Sequence, residues 1–205
     1  MSSYRSYKGE NDHKPDNLLL VDDHGELPAA AGPESQVFTR FNHTFPDQRR
    51  THDFHADAPF QRLVTDVTEL KCLDGKVYLS PMIDLYDGMP ISVSTGTRPS
   101  MELVMTMRTD TLGQVPDGMT PIIHSDRGFH YRARVWVDAV AGGDGLGSPV
   151  QRFIPSMSRK ATSGDNAVAE GFFGTLKREL FGSKKATWQM AQAQVLAAVD
   201  RYLEW

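Results

Sequence analysis

The chain has 205 residues, 40% of them hydrophobic and 23% charged, with a formal net charge of −4. That length suits one domain with a real core, and the acidic balance excludes a uniformly basic nucleic-acid coat. A single cysteine, Cys72, excludes an internal disulfide framework, and no apolar run approaches the roughly 18 residues that cross a bilayer, so the expected setting is reducing, cytoplasmic and without a membrane.

Charge is unevenly spread along the chain. Residues 1–60 carry 6 Lys/Arg against 10 Asp/Glu, residues 61–150 carry 8 against 11, and residues 151–205 carry 8 against 5. Only the last stretch is basic, an asymmetry that can steer a polyanion to one face. Residues 1–60 include "HGELPAAAGPESQ" and "NHTFPDQRRTHDFHADAP", rich in Pro, Gly, His and charge without a sustained period. They read as a poorly ordered N-terminal arm or linker with few core contacts.

From residue 61 to 205 the texture is that of a packed domain. "LVTDVTELKCL", "KVYLSPMIDLY" and "MPISVSTGT" are apolar, β-branched runs separated by Asp74-Gly75 and Asp87-Gly88, which predicts a three-stranded antiparallel meander. "SMELVMTMRTDTL" predicts a helix capped by Ser100, "TPIIHSD" a buried strand, "RARVWVDAVA" a helix and "VQRFIPSM" a further strand. Ser163 or Asp165 is expected to cap the helix through Glu170, and Thr187 to open a last helix in "TWQMAQAQVLAAVDRYLEW". The order is a mixed α/β domain in which three antiparallel strands precede two further strands.

Two acids stand out because they sit in or just after apolar strands, where an uncompensated carboxylate is costly. Asp66 lies within "LVTDVTEL" and Asp126 ends "PIIHSD". If the strand ending at Asp126 pairs beside the one carrying Asp66, the two meet at the carboxyl end of the sheet, where α/β proteins gather ligands. Close carboxylates repel unless protonated or bridged by a cation, and magnesium prefers oxygen ligands. On the later helix Asn166, Glu170, Gly174 and Lys177 share one face, which would add a third acid beside a basic group. Alone, each acid reads better as a solvated strand, turn or helix residue. His124 reads equally as a metal-shell neighbour or a satisfied histidine at a strand end. His130, Tyr131, Phe172, Phe173 and the methionines of "SMELVMTM" read as packing or local bonding.

"TDVTELKCLDGKVYLSPMIDLYDGMPIS", "IIHSDRGFHYR" and "SMSRKATSGDNAVAEGFFGTLKREL" occur in an order that closely resembles bacterial insertion-sequence transposases of the retroviral-integrase superfamily. The resemblance implies a ribonuclease H-like catalytic core with an Asp-Asp-Glu triad carried by Asp66, Asp126 and Glu170. It further implies two Mg²⁺ ions held by those acids, with Mn²⁺ able to substitute, and DNA cleavage and joining by phosphoryl transfer at insertion-element ends. Lys177, Arg178, Arg159, Lys160 and Asn166 would contact DNA, and a homo-oligomer acting on element ends and target DNA is the expected assembly. Three departures accompany it. Asp126 and Glu170 are separated by 43 residues, more than the family's usual interval, with the excess in "VAGGDGLGSPV". Residues 23–52 resemble an insertion, and the ends at "YLEW" and before the catalytic core resemble truncation. The alternatives are a catalytically silent remnant that binds DNA or a full-length partner, and a metal-dependent nuclease without strand joining.

Overall fold

The computed structural model describes residues 15–21, 51–142, 152–158, 166–182 and 186–203. A mixed sheet lies between two layers of helices. Its strands are β3 (Arg62–Thr65), β4 (Thr68–Cys72), β5 (Gly75–Asp84), β6 (Pro90–Gly96), β7 (Ile122–Ser125) and β8 (Ile154–Met157), while the short β1 (Leu20–Val21) and β2 (Thr51–His52) pair separately. β5 is antiparallel to β3, β4 and β6, and β3, β7 and β8 run parallel to one another. The meander expected from the three apolar runs is present, followed by two parallel strands. Gly88 takes the left-handed φ of 75° that the second turn needs. The first hairpin instead turns on Leu73 and Asp74, since Gly75 is already paired with Cys72.

The first run is interrupted where a single strand was expected. Its register pairs Thr65 with Met82 and Thr68 with Leu79, which sets Asp66 opposite Pro81 and Val67 opposite Ser80. Pro81 has no N–H to offer, and the Val67 N–H donates at 2.7 Å to Asp66 Oδ1 instead. The ladder opens at Asp66 without losing register, and the strand resumes as β4.

One face of the sheet packs against α1 (Met101–Leu112) and α3 (Arg134–Ala141), burying Leu63, Met82, Val104, Met107, Ile123, Trp136 and Phe153. Ser100 caps α1 by accepting from the Leu103 N–H, as its position before the apolar period predicts. The helix expected over residues 132–141 is split, because Ala133 is extended between α2 (Phe129–Arg132) and α3. The other face packs against α4 (Ala167–Phe181) and α5 (Gln192–Leu203) through Leu70, Val77, Leu79, Leu176, Val195 and Val199. The last helix does not open at Thr187. A 3-10 turn spans Ala186–Gln189 and α5 begins at Gln192, whose N–H donates to Asp74 Oδ1 at 2.7 Å. A residue distant in sequence thus caps that helix.

The stretch from Asp16 to Leu20, expected to make few core contacts, lies against β8. Met157 N–H donates to the Asp16 carbonyl at 3.1 Å and Leu18 N–H to Ser156 Oγ at 2.9 Å, while Leu19 is 0% exposed. The glycine-rich "GDGLGSPV", residues 23–50 and the candidate caps Ser163 and Asp165 lie outside the described residues. Among the described residues no helix is long and apolar enough to cross a membrane.

Candidate active site

The parallel pairing of β3 with β7 sets Thr65 level with Ser125. Asp66 and Asp126 each follow their strand by one residue, so they emerge together at the carboxyl end of the two strands. Both border a hollow of about 240 Å³, together with Thr68, Glu69, Gly128 and His130. Asp126 Oδ1 accepts from the Gly128 N–H at 2.8 Å. A Cβ at position 128 would stand 2.8 Å from that same oxygen, so a larger residue there would push the carboxylate aside.

Electrostatics separate these acids from ordinary surface carboxylates. Burial, the largest cause, and the neighbouring charge of Asp126 push the Asp66 carboxyl up to about 7; Glu170 adds to the rise and Lys177 opposes it. The Asp126 carboxyl is also raised, mainly by burial, against the Gly128 N–H, His130 and Arg132, which lower it. Below the hollow, the buried Tyr131 hydroxyl stands 3.3 Å from Thr65 Oγ1, its ionisation suppressed first by burial and then by the charges of Asp66 and Asp126. Its ring packs edge-on against Trp136 at 5.1 Å. The strand-like run around Asp66 gave no warning that a tyrosine from α2 would form this floor.

α4 brings the third acid. Ala169 and Phe173 bury against Val64 and Ile83, and this contact holds the helix across β3. Glu170 is on the exposed side of α4, within electrostatic reach of Asp66. Lys177 turns inward: its Nζ donates to Thr68 Oγ1 at 2.7 Å and sits 5.8 Å from the centre of the Phe173 ring. Arg178 is exposed and donates to Thr175 Oγ1 at 3.2 Å. Asn166, expected on the DNA-facing side, is only 5% exposed, and its side-chain amide has no hydrogen-bond partner among the described residues. Arg159 and Lys160 lie outside the described residues.

His124 is resolved in favour of the structural reading. It is 0% exposed, with Nδ1 at 2.8 Å from Ser156 Oγ and Nε2 at 3.0 Å from Ser158 Oγ, so both ring nitrogens tie β7 to the β8 strand and its end. His130 borders the acid hollow and bonds through Nε2 to the Pro99 carbonyl at 2.8 Å. Phe173 and Met107 are buried, as their positions beside apolar neighbours suggest.

The acids at the hollow offer oxygen donors, with His130 beside them, and Asp66 carries a repulsion that a divalent cation would relieve. In chemical character the hollow fits magnesium. Among the described residues no group of three or more His, Cys, Asp or Glu side chains already converges as a metal cage; Asp66, Asp126 and Glu69 border the hollow, and Glu170 is not among the residues that line it.

Residues 56–143 match the family described as "Integrase core domain". A relative from Shigella flexneri, "Probable transposase for insertion sequence element IS1353", is 39% identical over 154 residues, 75% of this chain and 28% of that protein. An "Uncharacterized transposase-like protein" from Haemophilus influenzae is 32% identical over 182 residues, 89% of this chain and 66% of that protein. The chain belongs to the integrase-core family of insertion-sequence transposases. The chain shares its fold with the HTLV-2 integrase catalytic core domain solved in complex with magnesium, at a TM-score of 0.52 over 73% of this chain and 87% of that one. Sequence identity there is 15%, so the likeness concerns the fold alone. The chain spans 28% and 66% of the two relatives' lengths. Within it, the family match contains Asp66 and Asp126 and ends before Glu170.

Proposed function

We propose that this chain is the catalytic core of a transposase that cuts and joins DNA strands at insertion-element ends, with Asp66, Asp126 and Glu170 as the ligands of two Mg²⁺ ions that Mn²⁺ can replace. The observation that carries the reading is the juxtaposition of Asp66 and Asp126 at the carboxyl end of β3 and β7, with the Asp66 carboxyl raised to about 7 and Glu170 in reach of it. Bound divalent ions in such sites supply the charge that activates an attacking water or 3′-hydroxyl and stabilises the leaving oxygen. At neutral pH Asp66 is close to half-protonated, so loading of the site releases roughly half a proton from it. Lys177, held by Thr68 beside the acids, offers its charge to the phosphate that enters the hollow. Gly171 and Gly174 leave the outer face of α4 beside Glu170 without bulk, and a Cβ at either would meet nothing within 4 Å. A duplex backbone can therefore approach Glu170 closely. Arg178, Arg159 and Lys160 extend the basic character of this part of the chain, and the cytoplasm is where such an enzyme finds chromosomal DNA. The transposases among the relatives support DNA as substrate, the magnesium complex of the HTLV-2 core supports the metal, and its dimeric and trimeric forms support a homo-oligomer.

The test is incubation of the full chain with Mn²⁺ or Mg²⁺ and a radiolabelled element end. Asp66→Asn, Asp126→Asn and Glu170→Gln should each lower cutting by about a thousandfold or more, the scale of losing a catalytic group, with unchanged circular dichroism. Joined product supports a transposase, cut-only product supports a nuclease, and absence of product from the unaltered chain refutes the reading. Wild-type cutting by any one variant removes that residue from the triad.

A further inference from the structure

Below the acid hollow three buried hydroxyls meet. Tyr131, on α2, is 1% exposed, and its hydroxyl stands 3.3 Å from Oγ1 of Thr65, itself 0% exposed. Ser80 of β5, 0% exposed and without a hydrogen-bond partner among the described residues, brings a third hydroxyl to the same spot. The Tyr131 ring needs none of this to pack. It lies edge-on to Trp136 within a cluster that includes Leu63, Met82 and Met157. A phenylalanine would fill that place without taking a hydroxyl out of water, a cost that one long hydrogen bond repays poorly. Stability alone therefore gives no reason for the oxygen.

Its position gives one. The parallel ladder keeps β3 and β7 level as far as Thr65 and Ser125, and one residue later the chain of each acid has left it. Asp66 gains no ladder bond from β5 there, since it lies opposite Pro81. Each carboxylate is turned by its own loop, Asp66 Oδ1 by the Val67 N–H and Asp126 Oδ1 by the Gly128 N–H. Those local bonds set the direction of each acid and not the gap between them, while their like charges push the two apart. The Tyr131–Thr65 contact spans that gap from below. It joins the residue before Asp66 to a short helix that starts three residues after Asp126. We infer that Tyr131 is a positioning residue for strand cutting: its hydroxyl, acting through Thr65, holds the end of β3 so that the Asp66 carboxylate stays level with that of Asp126. The inference rests on the DNA-cutting reading and adds to it a residue that acts without touching DNA or metal.

The full chain, a radiolabelled element end and Mg²⁺ or Mn²⁺ test this with two variants that each remove one hydroxyl. Tyr131→Phe should lower the cutting rate at saturating DNA about tenfold, the scale of losing a partner behind a metal ligand, while DNA affinity stays within about twofold and the melting temperature holds. Thr65→Val should match it. The double variant should lose no more than either single one, because both remove the same bond. In the metal-free protein, amide exchange followed by NMR should show the Val67 N–H exchanging about tenfold faster in Tyr131→Phe. Wild-type cutting by Tyr131→Phe overturns the inference, and so do losses that multiply in the double variant. A fall shared by DNA affinity or by stability also overturns it, since the hydroxyl would then serve packing alone. The two readings fail separately. Normal cutting by Tyr131→Phe beside an inactive Asp66→Asn refutes the positioning role and keeps the triad. An unaltered chain that cuts nothing refutes the DNA-cutting reading, and Val67 exchange then decides the tie: faster exchange in Tyr131→Phe upholds it, and unchanged exchange overturns it.

Discussion

Asp66→Asn should make the metal-free protein more stable, and more so as pH rises. The folded-state carboxyl is raised from 3.8 to about 7, so the folded chain binds a proton across a window in which the unfolded chain has released it. Stability contributed by this group is therefore complete below the unfolded value near 3.8, declines as pH climbs and is fully lost above about 7. An interval of that size corresponds to about 4 kcal/mol at 1.36 kcal/mol per tenfold change in proton affinity. Asparagine removes the charge but keeps an Oδ1 that can accept the Val67 N–H, so the local turn survives. In urea unfolding with a chelator present, the variant's advantage should grow by about 2 to 3 kcal/mol between pH 5 and pH 8. In thermal unfolding at pH 8 the whole effect is roughly 10 °C for a chain of this size. Magnesium at about a hundred times its dissociation constant should return about 2.7 kcal/mol to the wild type and almost nothing to the variant. An advantage that does not change with pH, or a variant less stable at both pH values, would refute the account of Asp66 as a buried acid pressed by Asp126.

Lys177→Ala should weaken DNA binding and reduce the slope of log affinity against log salt by about one, because one phosphate contact is removed; titration of a labelled element end at several salt concentrations measures it, and an unaltered slope takes Lys177 out of the interface. His124→Ala should destabilise the protein by about 3 kcal/mol in urea, since it opens a cavity and strands the hydroxyls of Ser156 and Ser158. Magnesium affinity of the folded variant should match the wild type, and a loss of metal binding without a loss of stability would return His124 to the metal shell.

Much of the architecture was legible in the linear pattern because its signals are local. Ser100 before an apolar period gave the start of α1, and Asp87-Gly88 gave a turn. The meander followed from β-branched runs. The interruption at Asp66 was not legible, although Pro81 in the middle of β5 is its visible cause. Recognising it requires the register that brings residue 81 opposite residue 66. The start of α5 was misplaced for the same reason: its cap, Asp74, comes from a hairpin more than a hundred residues earlier.

At the site, residue type and motif order singled out Asp66, Asp126 and Glu170, since acids beside apolar strands are rare enough to draw notice. What each side chain does depended on neighbours. His124 is tied by two serines, Asn166 is buried, and Tyr131 forms a floor. By itself the sequence determined the element types and the residues capable of the chemistry, because propensity, capping and alternation act over a few residues. Only the tertiary structure decided which of those residues meet, because burial and charge coupling depend on distances through space that the order of the chain does not encode.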